Sequence, residues 1–241
     1  MRRPRTGSVV VTFALIALSS VGVGTAPASA ADKQNGEAKR SPAQVIADGF
    51  HALAKANSFT VTGSISVSGQ PTLTVDLVVT RGHGGGGSAD EGNGTVSFVV
   101  AAPNTYFRAD QTYWHEEAGL PQATAQLLAD KWLRVRSTTN KLFASYTKFV
   151  DVNYWSKGFG DSAGGHLQKR QRVFHGTPVV AVHQTSVEDP GTLLVAATGT
   201  PYALAWVPDA PDYGAKGLVF GNFNSASPPA APTGAVDLPN S

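Results

Sequence analysis

Between Phe59 and Val79 apolar side chains fall on alternate positions, interrupted at Gly63 and at one turn. Phe59, Val61, Ile65 and Val67 alternate with Thr60, Thr62, Ser64, Ser66 and Ser68, and Leu73, Val75, Leu77 and Val79 resume after Gly69-Gln70-Pro71. A period of two places every apolar residue on one side of an extended chain, so both runs read as strands with one buried face, joined by a turn. Strands of this kind build an antiparallel sheet covered on one side only. Just upstream the period changes. Ser41-Pro42 reads as an N-cap with proline at the first helical position, and Val45, Ile46, Phe50, Leu53 and Ala54 follow at helical spacing up to Asn57.

Beyond the second strand, a glycine-rich stretch from Gly82 to Gly94 reads as a long hairpin loop, followed by a strand at Val96, Phe98 and Val100. Asp110-Gln111 reads as a turn joining short strands around Phe107 and Trp114. Pro121 to Asp130 predicts a short helix and Lys131 to Arg136 a strand. Asn140 to Trp155 predicts a second long helix carrying Leu142, Phe143, Tyr146, Phe149 and Val150. Five more strands follow, around Gln168 to Phe174, Val179 to Gln184, Leu193 to Ala197, Tyr202 to Val207 and Leu218 to Phe223. The fold class is α+β, with one antiparallel sheet of about nine or ten strands. So wide a sheet with one apolar face curls, and the helices are the elements available to cover its concave side.

The first thirty residues have a different character. Arg2, Arg3 and Arg5 precede an apolar run from Val9 to Val23, and Ala28-Ser29-Ala30 closes the segment. This is the pattern of a secretory signal peptide with an A-x-A cleavage site, which places the working protein in a secreted, extracytoplasmic location. The expected organisation is a signal peptide over 1–30, a flexible polar spacer over 31–40, one domain over 41–224 and a Pro/Ala-rich tail lying loosely over 225–241. The chain has no cysteine, so neither a lipid-modified cleavage site nor a disulfide framework is available, and no permanent membrane anchor is expected. The leader holds three arginines and no acid; without it the formal charge of +2 becomes slightly negative. Lys169, Arg170 and Arg172 then form the one close basic run, which reads as the solvated face of a strand rather than a nucleic-acid site.

Catalytic patterns fail on context. Gly82-His83-Gly84-Gly85-Gly86-Gly87 matches a dinucleotide fingerprint, but phosphate binding there needs a following helix N-terminus and a strand comes next. Gly160-Asp161-Ser162-Ala163-Gly164 matches a nucleophile elbow, which requires a strand before the serine and a helix after it; the order here is the reverse. His51, His83, His115, His166, His175 and His183 do not share metal-ligand spacing, and His115-Glu116-Glu117 reads as an exposed strand end. Asn93-Gly94-Thr95 fits a glycosylation pattern without further support. No catalytic residue, cofactor or metal is expected. The aromatic cluster of Tyr146, Phe149, Tyr154, Trp155 and Phe159 either fills the core or lines a hydrophobic cavity against the sheet.

Several segments carry a family resemblance: Ser58 to Ile65 (SFTVTGSI), Tyr106-Phe107 before Trp114, Lys131-Trp132-Leu133-Arg134-Val135, and the stretch from Pro201 to Asn224. Together they resemble the actinobacterial envelope lipoproteins of the LppX and LprG type, within the LolA-like lipoprotein-carrier superfamily. The resemblance runs from about Val45 to Asp237. It implies a half-open β-barrel with helices over its concave face, holding lipid or lipoglycan between sheet and helices for transport through the cell envelope. Family members carry a lipobox cysteine where this chain has Ala28-Ser29-Ala30, so the resemblance is to a non-lipidated, secreted member. The expected function is non-enzymatic binding of a lipid or other amphiphile, with acyl chains against Val61, Ile65, Leu73, Leu77, Phe98, Tyr146 and Phe149 and an envelope protein as a possible partner. The alternative is an extracytoplasmic protein-interaction or sensory module whose core is filled.

Overall fold

The computed structural model describes residues 33–65, 72–82, 84–92, 94–135, 146–158, 166–185, 190–209 and 217–237. The leader, the Gly69-Gln70-Pro71 turn, Asn93, Leu142, Phe143, Phe159 and Ser162 lie outside them.

Helix α1 (Pro42–Lys55) forms where the sequence places it. The Ser41 side chain accepts a hydrogen bond from the Gln44 backbone N–H (3.3 Å), and the Ser41 N–H donates to Gln44 Oε1 (3.0 Å), a reciprocal cap that satisfies two donors at the helix start. At the other end Arg81 donates to the carbonyls of Ala54 and Ala56, placing a cation where the helix dipole favours one. Val45, Ile46, Phe50 and Leu53 are buried. A Cβ added at Gly49 would lie 2.9 Å from Val195 Cγ2, so a glycine here lets the helix come close to the sheet.

Among the described residues the sheet has twelve strands: β1 (Ser58–Ile65), β2 (Leu73–Thr80), β3 (Gly84–Asp90), β4 (Thr95–Ala101), β5 (Asn104–Ala109), β6 (Leu133–Val135), β7 (His166–Phe174), β8 (Thr177–Thr185), β9 (Gly191–Ala196), β10 (Ala203–Pro208), β11 (Gly217–Gly221) and β12 (Val236–Asp237). Their order is β12-β6-β5-β4-β3-β2-β1-β11-β10-β9-β8-β7. Every neighbouring pair is antiparallel except β12 with β6. The sheet is therefore open and consists of two meanders, β1–β6 and β7–β11, joined where β1 pairs with β11. Because β6 and β7 lie towards opposite ends of this order, the chain between them must traverse the sheet. That crossing segment includes a 3-10 turn (Lys148–Val150) and helix α3 (Val152–Gly158).

Five features depart from the sequence reading. Gly84–Asp90 is a strand in the middle of one meander, not a loop: its register matches Thr74–Thr80 on one side and Thr95–Val100 on the other. Trp114 lies in a helical turn, not a strand. Asp110 Oδ1 accepts the Tyr113 N–H (2.8 Å), capping a helix that continues as a π-turn over Tyr113–Glu117, so His115-Glu116-Glu117 is helical as well. The described part of the second long helix is broken at Asp151. This residue is extended, and its Oδ1 accepts the Asn153 N–H (2.9 Å) to start α3 afresh. The expected flexible spacer is docked from Gln34 onward. Gln34 bridges Thr198, Asn35 donates to the carbonyls of Ala196 and Ala197, and Glu37 is buried. The C-terminal tail is not loose: Val236 and Asp237 pair with Leu133 and Arg134, and Arg134 grips Asp237 through two hydrogen bonds of 2.6 and 2.7 Å. The other helix, α2 (Gln122–Leu128), and the remaining strands fall where the periodicity puts them.

Candidate functional site

Alternation sorts the strand residues onto two faces, and register then aligns them into rows across the sheet. One row runs Phe220, Val61, Leu77, Gly87, Phe98, Phe107, Leu133, each residue paired with the next. All but the glycine belong to the main hydrophobic core. Gly87 interrupts the row between Leu77 and Phe98, and Gly85 similarly separates Val79 from Val100. The missing side chains are used. A Cβ at Gly85 would lie 3.0 Å from Val150 Cβ, so the crossing segment approaches β3 where that strand has nothing but backbone.

A chain of aromatic rings includes three members of this row. Phe107 stacks on Phe98, Phe98 meets Tyr146, Tyr146 meets Phe149, Phe149 meets Trp155, Trp155 meets Phe220, and Phe220 meets Phe59, with successive ring centroids 6.0–6.5 Å apart. These are contact distances for offset and edge-to-face pairs. Tyr146, Phe149 and Trp155 come from the crossing segment and the others from strands, so the rings form the seam between the two. Trp155 donates its indole N–H to the Phe149 carbonyl (2.7 Å), tying the segment to itself.

Beside Tyr146 and Phe149 the seam turns polar. The rings of Tyr113 and Tyr146 meet edge to face, their centroids 6.1 Å apart. Burial raises the pKa of both phenols, and the Glu91 and Glu117 charges add to the rise. Tyr154 is shifted upward by burial and by Glu91. Lys148 lies over the rings of Phe149 and Tyr154, 5.2 and 5.5 Å from their centroids.

The seven residues expected to line a cavity are distributed as follows. Val61 faces Leu77 across β1 and β2, and Phe98, Tyr146 and Phe149 are joined by ring contacts. Ile65 pairs with Leu73 at the far end of the same strands, where both are half-buried. The first five are enclosed by protein: Val61 and Phe98 are 0% exposed, Leu77 and Phe149 1% and Tyr146 6%. Sequence reasoning missed Trp155's place at the centre of the seam, Phe220 and Phe59 at its end, and the part played by Gly85 and Gly87. The first three were available as apolar residues in alternating or helical runs; the glycines gave no signal.

Of the histidines, His183 pairs with Asp209 (2.5 Å) and His115 Nδ1 lies 2.9 Å from the Leu120 carbonyl. Among the described residues no three His, Asp or Glu side chains converge on one point, and no helix is long and apolar enough to cross a membrane. No protein-family model matches the chain, and no curated protein matches it.

Proposed function

We propose that this chain is a secreted, extracytoplasmic, non-enzymatic binding protein that holds a hydrophobic or amphiphilic ligand, a lipid or lipoglycan, between its sheet and its helices and carries it in the cell envelope. In this reading the sheet is a curved half-open barrel, α1 and the crossing segment cover its concave face, and the chain is a non-lipidated relative of the LppX/LprG-type proteins. The observation that carries the reading is the aromatic seam. Ring contacts join the crossing segment to the strands, whereas the strands hold one another by backbone hydrogen bonds. Parting the seam therefore leaves every sheet ladder intact. An inserted acyl chain restores the apolar burial, worth about 0.8 kcal/mol per methylene. The tyrosine pair beside the seam offers hydroxyls to a polar group.

A second reading rests on the enclosure of Val61, Leu77, Phe98 and Phe149. Side chains without exposed surface are those of a filled core, and a filled core on this fold serves a protein-interaction or sensory module. Native mass spectrometry of the chain purified from its own host separates the two. The binding reading expects a retained amphiphile, with its occupancy reduced in Phe98→Leu. A uniformly apo mass, with Phe98→Leu altering stability alone, supports the filled core.

A further inference from the structure

We propose that β7 is a docking edge for an extended acidic segment of a partner protein, added to the sheet as one more strand. The two ends of the sheet differ. At one end β6 is paired by β12, and the edge arginine Arg134 grips Asp237, its cross-strand neighbour, with two hydrogen bonds of 2.6 and 2.7 Å. At the other end no strand among the described residues pairs with the outer side of β7. Yet β7, at nine residues, matches β8 as the longest strand and is exposed along most of its length, with Val173 71% exposed. An unpaired edge presents backbone donors and acceptors ready for another strand.

The side chains select the partner. Lys169 is committed, donating to the carbonyls of Ala38 and Arg40. Arg170 and Arg172 project from the opposite face two residues apart, and neither guanidinium has an ion-pair or side-chain hydrogen-bond partner among the described residues. The strand has no acid. A second copy pairing antiparallel on this edge would set cations against cations, which cross-strand energetics disfavour. A strand with Glu or Asp at alternate positions would meet both arginines directly, as Asp237 meets Arg134. The same pair of arginines thus repels self-association and attracts an acidic strand.

The test uses the full chain, isotope-labelled, with two capped heptapeptides, Thr-Glu-Val-Glu-Val-Glu-Thr and its lysine counterpart. The acidic peptide is expected to shift and protect backbone amides in His166–Phe174. Binding should weaken about tenfold in Arg170→Glu/Arg172→Glu, and that variant should prefer the lysine peptide. Equal binding of the two peptides, perturbations confined to other strands, or no binding at millimolar peptide would overturn the proposal. So would binding to phosphatidylglycerol vesicles that the double variant abolishes without any peptide binding, since the arginines would then serve a membrane surface.

Discussion

Gly87 stands at a position where no other residue fits. Its φ is +147°, and a Cβ added there would lie 2.0 Å from the Asp76 carbonyl oxygen. Gly87→Ala therefore forces β2 and β3 apart or twists the backbone, and a loss of about 2–3 kcal/mol is expected in urea unfolding. A change under about 0.5 kcal/mol would show that β3 is not held in this register. Glu37 makes a different prediction. Burial, then the Asp48 charge, raises its carboxyl above the ordinary value of 4.5, against the pull of Arg40 and Lys169. A raised folded pKa means the fold prefers the neutral acid. The contribution of Glu37 is complete below 4.5 and is lost as pH rises through the raised value. Glu37→Gln, neutral at every pH, should gain on the wild type in urea midpoint between pH 4 and pH 7; a constant gap across that range would sink the assignment.

At the scale of elements, the tail and β6 stabilise each other. Asp237 lies against Arg134, the Val236 N–H donates to the Trp132 carbonyl (2.9 Å), and Pro229 comes close to Gly86 on β3. Deleting residues 225–241 removes this ion pair and several hydrogen bonds, so it should destabilise the fold. The melting temperature of the truncated chain checks this, and an unchanged value would make the tail a passenger. Elements with a period were legible in the sequence: α1 by its Ser41-Pro42 cap, and the flanking strands by alternation. Strand β3 was not, because glycine has no side chain to alternate and little strand preference, and the neighbours β2 and β4 impose its extended form. The helical turn at Trp114 had a signal in Asp110, three residues before Tyr113, which the local alternation of aromatics outweighed. The break at Asp151 had one too, a capping residue set inside an apolar helical pattern. The tail's return to the sheet depends on the spatial position of β6, more than a hundred residues away at Arg134–Asp237, which no local pattern carries.

On the scale of the molecule, the α+β class and the broad antiparallel sheet followed from periodicity, since repeated one-sided strands admit few other arrangements. The candidate site was legible only as a list. Sequence named Val61, Leu77, Phe98, Tyr146 and Phe149 without their order along a seam, which depends on register and on the crossing forced by the remote positions of β6 and β7. In the proposed function an acyl chain enters between that crossing segment and the sheet. A palmitate bearing a mid-chain diazirine, photocrosslinked to the full chain and mapped by peptide mass spectrometry, tests it directly. Labels should fall in the peptides containing Phe98 and Tyr146–Trp155 and disappear with excess unlabelled palmitate. Labelling confined to outward residues such as Val207 and Val219, or none above a denatured control, would mean that no acyl chain enters the seam.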